Sequence, residues 1–127
     1  MASAFPSPPI LRLHRSPQSG NYTMTAGWQT VFAQNQNYAW MFASGKIDLS
    51  NMAAGDSIEI RVQTRNTQGG AFAVHDLFDY DDAQPVNKQK VTISSVIDTF
   101  GVIVEMRQTA VAVALIQCYC EFFDAIR

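Results

Sequence analysis

The stretch that most limits what this chain can become runs from Ser57 to Arg65. Ile58, Ile60 and Val62 alternate with Glu59, Arg61 and Gln63, the period-two pattern of a strand with one buried and one wet face. The preceding segment, Lys46 to Asp56, ends a strand and turns the chain through Asp48 to Asp56, with Gly55-Asp56 as a turn signal and Met52 as an apolar plug. A connection of this kind suits the end of a β-sandwich, where the chain crosses between sheets.

The same reading extends along the chain. Strands are expected at 21–25, 28–34 (Trp28, Thr30 and Phe32 on one face), 38–49 with a bend near Gly45, 57–65, 71–80, 88–97, 102–109 and 111–123. Asn35-Gln36-Asn37, Gly69-Gly70, Pro85 and Gly101 fall between them, so turn signals recur roughly every 8–12 residues. Helical periodicity is confined to one turn at most, at 49–54. The expected fold is all-β, an antiparallel two-sheet sandwich of jelly-roll-like type. An immunoglobulin-like Greek key is the second choice, without the Cys…Trp…Cys spacing of true immunoglobulin domains.

Residues 1–19 differ from the rest, and the domain reading is an extended arm at 1–19 on a β-sandwich at 20–127. Four of the five prolines (Pro6, Pro8, Pro9 and Pro17) lie in the arm, where fixed φ and missing donors disfavour a core strand. The arm carries Arg12 and Arg15 and no acid, which leaves seven bases against eleven acids in the body, net −4. With Ile10, Leu11 and Leu13 it is apolar and basic beside an acidic body, and it is expected to reach onto a neighbouring copy. The last strand, read over 111–123, is unbroken and apolar from Val111 to Ile116. A strand apolar on both faces is covered on both, so Val111, Val113 and Leu115 are expected at an interface. The expected interface set is therefore Ile10, Leu11, Arg12, Leu13, Arg15, Val111, Val113 and Leu115.

Composition narrows the function classes. At 127 residues the chain makes one domain, and with 16% charged residues its surface must be largely uncharged polar groups or covered by partners. A net charge of −2 gives no basic footprint for direct nucleic-acid binding. No apolar run of about 18 residues suggests a membrane span, and the start lacks the pattern of a signal peptide, pointing to synthesis in the cytoplasm. Cys118 and Cys120 would share one strand face ~6.6 Å apart, too long for an easy bridge, and read as free buried thiols. No cofactor is called for. Asp79, Asp81 and Asp82 in the acidic run 75–82 resemble calcium ligands only loosely, lacking the glycine and terminal glutamate of an EF-hand loop. His75 and Asp76, as strand neighbours, are expected on opposite faces, and no nucleophile elbow accompanies them. The aromatics Trp28, Trp40 and Tyr80 would serve a carbohydrate- or host-surface-binding module only if exposed together in one groove.

Ile47 to Met52 followed by Gly55-Asp56, then Gly101 to Val104, then Gln108 to Ala110 form a set of turn and strand elements. In these the chain resembles short β-sandwich structural proteins of viruses and proviruses, over residues 38–123. Where that class often has glycine after the Gln-Thr-Ala element, Val111 stands here. The resemblance implies a non-enzymatic virion protein of the capsid decoration or cement type, with a major capsid or other shell protein as partner. Joined to the arm and the apolar last strand, it gives a homo-oligomer, with a trimer favoured. A filament subunit that donates its arm as a strand is a variant of the same reading.

Overall fold

The structure, a computed structural model, describes residues 12–36, 40–98 and 100–126. It contains ten strands: β1 (Arg12–Arg15), β2 (Gly20–Thr23), β3 (Gln29–Gln34), β4 (Trp40–Asp48), β5 (Ser57–Thr64), β6 (Ala73–Asp81), β7 (Lys90–Ile93), β8 (Val96–Asp98), β9 (Val102–Ala110) and β10 (Gln117–Ile126). A single 3-10 turn, Val86–Lys88, is the only helical element among the described residues. The fold is an all-β sandwich of two antiparallel sheets.

One sheet runs β1-β10-β4-β7, with β2 also on β10 and β8 also on β4; the other runs β3-β9-β5-β6. In the first sheet the edges are each split in two. β2 pairs with the start of β10 (Gln117↔Thr23) and β1 with its end (Arg12↔Ile126). Likewise β7 and β8 divide the outer side of β4. The 88–97 strand of the sequence reading is thus interrupted at Ser94-Ser95, and both halves keep the same neighbour. Part of the 1–19 segment is built into the sheet as β1, which occupies an edge, where absent N–H donors and charged side chains are tolerated.

The alternation that defined β5 holds in space. Ile58, Ile60 and Val62 are buried against Val102, Val104 and Met106 of β9, and from the other sheet Phe42, Ile47, Cys118, Cys120 and Phe122 complete the core. Phe32 sits at its centre, with ring centroids 5.0 Å from Phe42, 5.2 Å from Phe122 and 6.3 Å from Trp40. Gly45 lets β4 pass under these rings: a Cβ there would lie 3.0 Å from Phe122 and 3.2 Å from Phe42. Both cysteines are free, and burial pushes each thiol up to about 12.

Two expectations are corrected. Trp28, Thr30 and Phe32 do not share a face, because the β3–β9 register shifts between Thr30 and Phe32. The extra residue buries Val31 and Phe32 together and leaves Thr30 outside. The second correction concerns the last strand. Residues 111–116 are not strand; they form a bent connection, and β10 starts only at Gln117. Hydrophobicity without a two-residue period did not distinguish an apolar loop from a doubly covered strand.

Phe32→Ala removes the ring on which three others pack and is expected to cost about 3–5 kcal/mol. Urea unfolding monitored by tryptophan fluorescence will show this as a lower midpoint at unchanged slope.

Candidate interaction surfaces

The bent connection 111–116 is shaped by two polar side chains buried at that end of the sandwich. Asp56, 2% exposed, lies just before β5, and Gln108, 1% exposed, lies on β9. The Gln108 amide nitrogen donates to the Asp56 carboxylate at 3.0 Å. That carboxylate also accepts from the backbone N–H groups of Ala53 (2.9 Å) and Ala112 (2.8 Å). The Gln108 amide oxygen accepts from the Ile116 N–H at 3.0 Å, and its nitrogen also reaches the Ala110 carbonyl at 3.2 Å. The 111–116 backbone is thus gripped at Ala112 and Ile116 by side chains from two other segments. The Asp56 carbonyl in turn accepts from Asp82 N–H, and Met24 N–H donates to the Ile116 carbonyl. All four connections at this end are tied together. The Gly55-Asp56 and Gln108-Thr109-Ala110 elements, read in the sequence as separate turn and strand elements, meet in this one buried contact.

Held in this way, the connection projects apolar side chains into solvent. Val113 is 94% exposed, and Val111 and Leu115 are about half exposed. These residues do not form the outer face of a strand; they form a tip. Their backbone is fixed by buried hydrogen bonds while their side chains remain uncovered.

The N-terminal members of the expected interface lie elsewhere. Ile10 and Leu11 fall outside the described residues. Arg12 opens β1, opposite Ile126 at the far end of β10. Leu13 is exposed, whereas Arg15 turns onto its own sheet, with Nε 3.0 Å from Glu121 and Nη2 2.8 Å from the Tyr119 hydroxyl. Lys46 also reaches Glu121 at 3.2 Å, and these two cations, Arg15 first, hold the Glu121 carboxyl below the usual carboxylate range. Half-exposed pairs of this kind contribute little to stability, but they leave Arg15 already partnered. β10 separates the tip from the start of β1. Its ten residues span roughly 30 Å, so the structure does not bring the two halves of the expected interface together.

The outer face of the β3-β9-β5-β6 sheet carries a charge ladder that the sequence reading missed. Arg61 pairs with Glu105 at 2.9 Å and Arg107 with Glu59 at 2.7 Å, each across directly opposed positions of β5 and β9. Trp28 lies against both guanidinium groups, 4.1 Å from Arg61 and 4.3 Å from Arg107. Trp40 and Tyr80 are half-buried against the core. The three aromatics therefore do not present a shared exposed groove. In the acidic run, Asp81 accepts from the Ser57 hydroxyl and Asp82 from the Gly55 N–H, both at short range. Burial and the neighbouring Glu59 raise the Asp79 carboxyl. No three His, Cys, Asp or Glu side chains among the described residues converge as metal ligands. His75 and Asp76, expected on opposite faces, both line a shallow recess with Ser94, Ser95 and Val96, because the β5–β6 register shifts at Val62/Gln63. No helix of the described residues is long and apolar enough to cross a membrane.

No protein-family model, no curated protein and no solved structure matches this chain.

Asp56 carries a titration prediction. Its carboxyl is held below the usual value by the Ala112 N–H first, then by Ala53 and Gln108. A depressed folded-state value makes a contribution that is complete above the ordinary aspartate value of about 3.9 and is lost as pH falls below it. Asp56→Ala removes the acceptor of one buried amide N–H, that of Gln108, and of the part-buried N–H groups of Ala53 and Ala112, at about 1–3 kcal/mol in all. The variant will melt lower at pH 7, and its stability will fall less steeply than that of the parent between about pH 4 and 2. Calorimetry across that range measures both.

Proposed function

We propose that this chain is a non-enzymatic structural subunit of a virus particle, of the capsid decoration or cement type. In this reading it assembles as a homo-oligomer, a trimer by preference, on a shell built by another protein. The observation that carries the reading is the tip. Val111, Val113 and Leu115 are exposed on a backbone that Asp56 and Gln108 fix from beneath, so the apolar groups are presented without the ordering cost of a loose loop. Exposed apolar side chains grouped in this way mark an interaction site. The tip seats on the shell, and the N-terminal segment joins neighbouring subunits.

The strand order supports the same reading. With β1 and β2 counted as one edge position and β7 and β8 as another, eight positions run 1-8-3-6 in one sheet and 2-7-4-5 in the other. That order supports reading the sandwich as a double Greek-key jelly roll, an architecture of capsid and lectin domains. Fold alone assigns no function, which is why the tip rather than the topology carries the proposal.

The test compares the full chain with a version lacking residues 1–11, which leaves β1 intact, and with Val113→Asp. Light scattering should give the full chain a multiple of 14.1 kDa and the truncated chain a lower mass. Val113→Asp should keep the parent's mass and thermal stability but lose binding to the particle. Full and truncated chains that are both monomeric, with no particle bound by either, would sink the reading.

A further inference from the structure

The two edges of the β3-β9-β5-β6 sheet are treated differently by the chain. Along β3, the Gln18 amide donates to the Ala33 carbonyl at 2.9 Å and accepts from the Ala33 N–H at 2.8 Å, and the Tyr22 hydroxyl donates to the Val31 carbonyl at 3.1 Å. Side chains of the same copy thus occupy that edge, where an open main chain would otherwise invite another strand. On the opposite side β6 is an edge, and β7 and β8 form the edge of the other sheet beside it. Asp76 and Phe78 of β6 line one recess with Ile93, Ser94 and Ser95.

The main chain on this side is largely open. Asp82 N–H donates to the Asp56 carbonyl, and Leu49 N–H to the Gln89 carbonyl. In an antiparallel pair, alternate residues turn their main chain toward the neighbour and the residues between turn theirs away. With Ser57 opposite Asp81 and Asp48 opposite Lys90, the outward groups are those of Leu77, Asp79 and Asp81 on β6 and of Lys90 and Thr92 on β7. Leu77 N–H is held by the Asp76 carboxylate and the Asp81 carbonyl by Gln84, exposed side chains that an added strand displaces.

Charge says which strand that is. Asp76, Asp79, Asp81 and Asp82 lie on β6 and the turn after it, whereas residues 83–97 carry Lys88 and Lys90 and no acid. Among the described residues none of these six has an ion-pair partner. Two β6 strands side by side repel, and β6 beside β7 attracts. Val74 and Leu77 on β6, each about half exposed, and Ile97 on β8, 77% exposed, add apolar surface to the same side.

One operation brings β6 beside β7 in both sheets at once, a half-turn about an axis parallel to the strands. β6 runs toward the Asp56 end of the sandwich and β7 away from it, and the half-turn preserves both directions, so the new pair is antiparallel. The half-turn also preserves level along the strands. The shared recess sets 76–78 level with 93–95, and counting along both strands sets Asp81 level with Lys90. We propose that this side is a twofold contact between two copies of the chain, β6 of each pairing with β7 of the other, so that Asp81 meets Lys90 and Asp79 meets Thr92. The contact goes beyond the assembly reading above and does not rest on it. It joins copies in pairs, both tips pointing the same way, whether or not the N-terminal segment also joins them in threes.

Sedimentation equilibrium of the full chain measures the association. Asp81→Lys and Lys90→Asp each set like charges opposite one another twice in the contact, and each alone should weaken association about tenfold. Mixed in equal amounts, the two variants regain opposite charges at both places and should recover the parent's association, one of each in every pair. A chain carrying Asp79→Cys and Thr92→Cys should form a disulfide-linked pair on oxidation. Opposed Cα atoms of a hydrogen-bonded antiparallel pair lie about 5.5 Å apart, within disulfide range, and the native cysteines are buried. A parent that stays monomeric overturns the contact. So does a mixture that associates no better than its components, single variants that associate like the parent, or oxidation that links no copies. A mass that falls on removing residues 1–11 but ignores both charge reversals leaves the assembly reading standing without this contact. Recovery in the mixture by a chain that binds no particle leaves the contact standing without that reading.

Discussion

The contact between the Asp56 carboxylate and the Gln108 amide organises one whole end of this sandwich. Each side chain is buried, and each would destabilise the fold if left alone, because a buried polar group without partners carries its full desolvation cost. Together they accept and donate to the backbones of 53, 110, 112 and 116, so connections from different parts of the chain share one satisfied network. Networks of this kind specify geometry more than they add energy. Here the specified object is the 111–116 connection, whose apolar side chains stay in water because its backbone is held by polar ones.

The opposite sheet face shows the complementary solution. Arg61, Glu105, Arg107 and Glu59 neutralise one another across β5 and β9, and Trp28 covers the two guanidinium groups. The result is a self-paired ladder along β5 and β9, with the carboxylates of β6 beside it. Arg15, too, is spent on Glu121 and Tyr119 of its own sheet. Among the described residues, the exposed apolar tip lies at one end of the sandwich.

Much of this was legible in the sequence where local pattern and tertiary role coincide. β5 and β9 alternate cleanly because each is a central strand with one core face, and their placement held to within a residue. Reading failed where a distant side chain decides the local structure. Val111 to Ile116 looks like strand by apolarity, yet its path is set by Asp56, more than fifty positions earlier, and no local window contains that information. Phe32 was grouped on one face with Trp28 and Thr30 because a one-residue bulge reverses parity without leaving a mark in hydrophobicity. Gly55-Asp56 was correctly read as a turn, but its aspartate does more than turn the chain. The segment before Gly20 was set apart by its prolines, and β1 shows that its last part can still complete a sheet edge.

The separation of the two ends has a mechanical consequence. β10 runs between them as a rod of roughly 30 Å, and in the proposed assembly the shell holds the tip while neighbours hold the opposite rim. A body fixed at a single point pivots under load. A body held at two points resists tilting with a torque that grows with their separation, so weak contacts at the rim gain leverage from the length of the strand beneath them. For a subunit of this size, the long axis of the sandwich would stiffen a coat more effectively than adding contact area at the base.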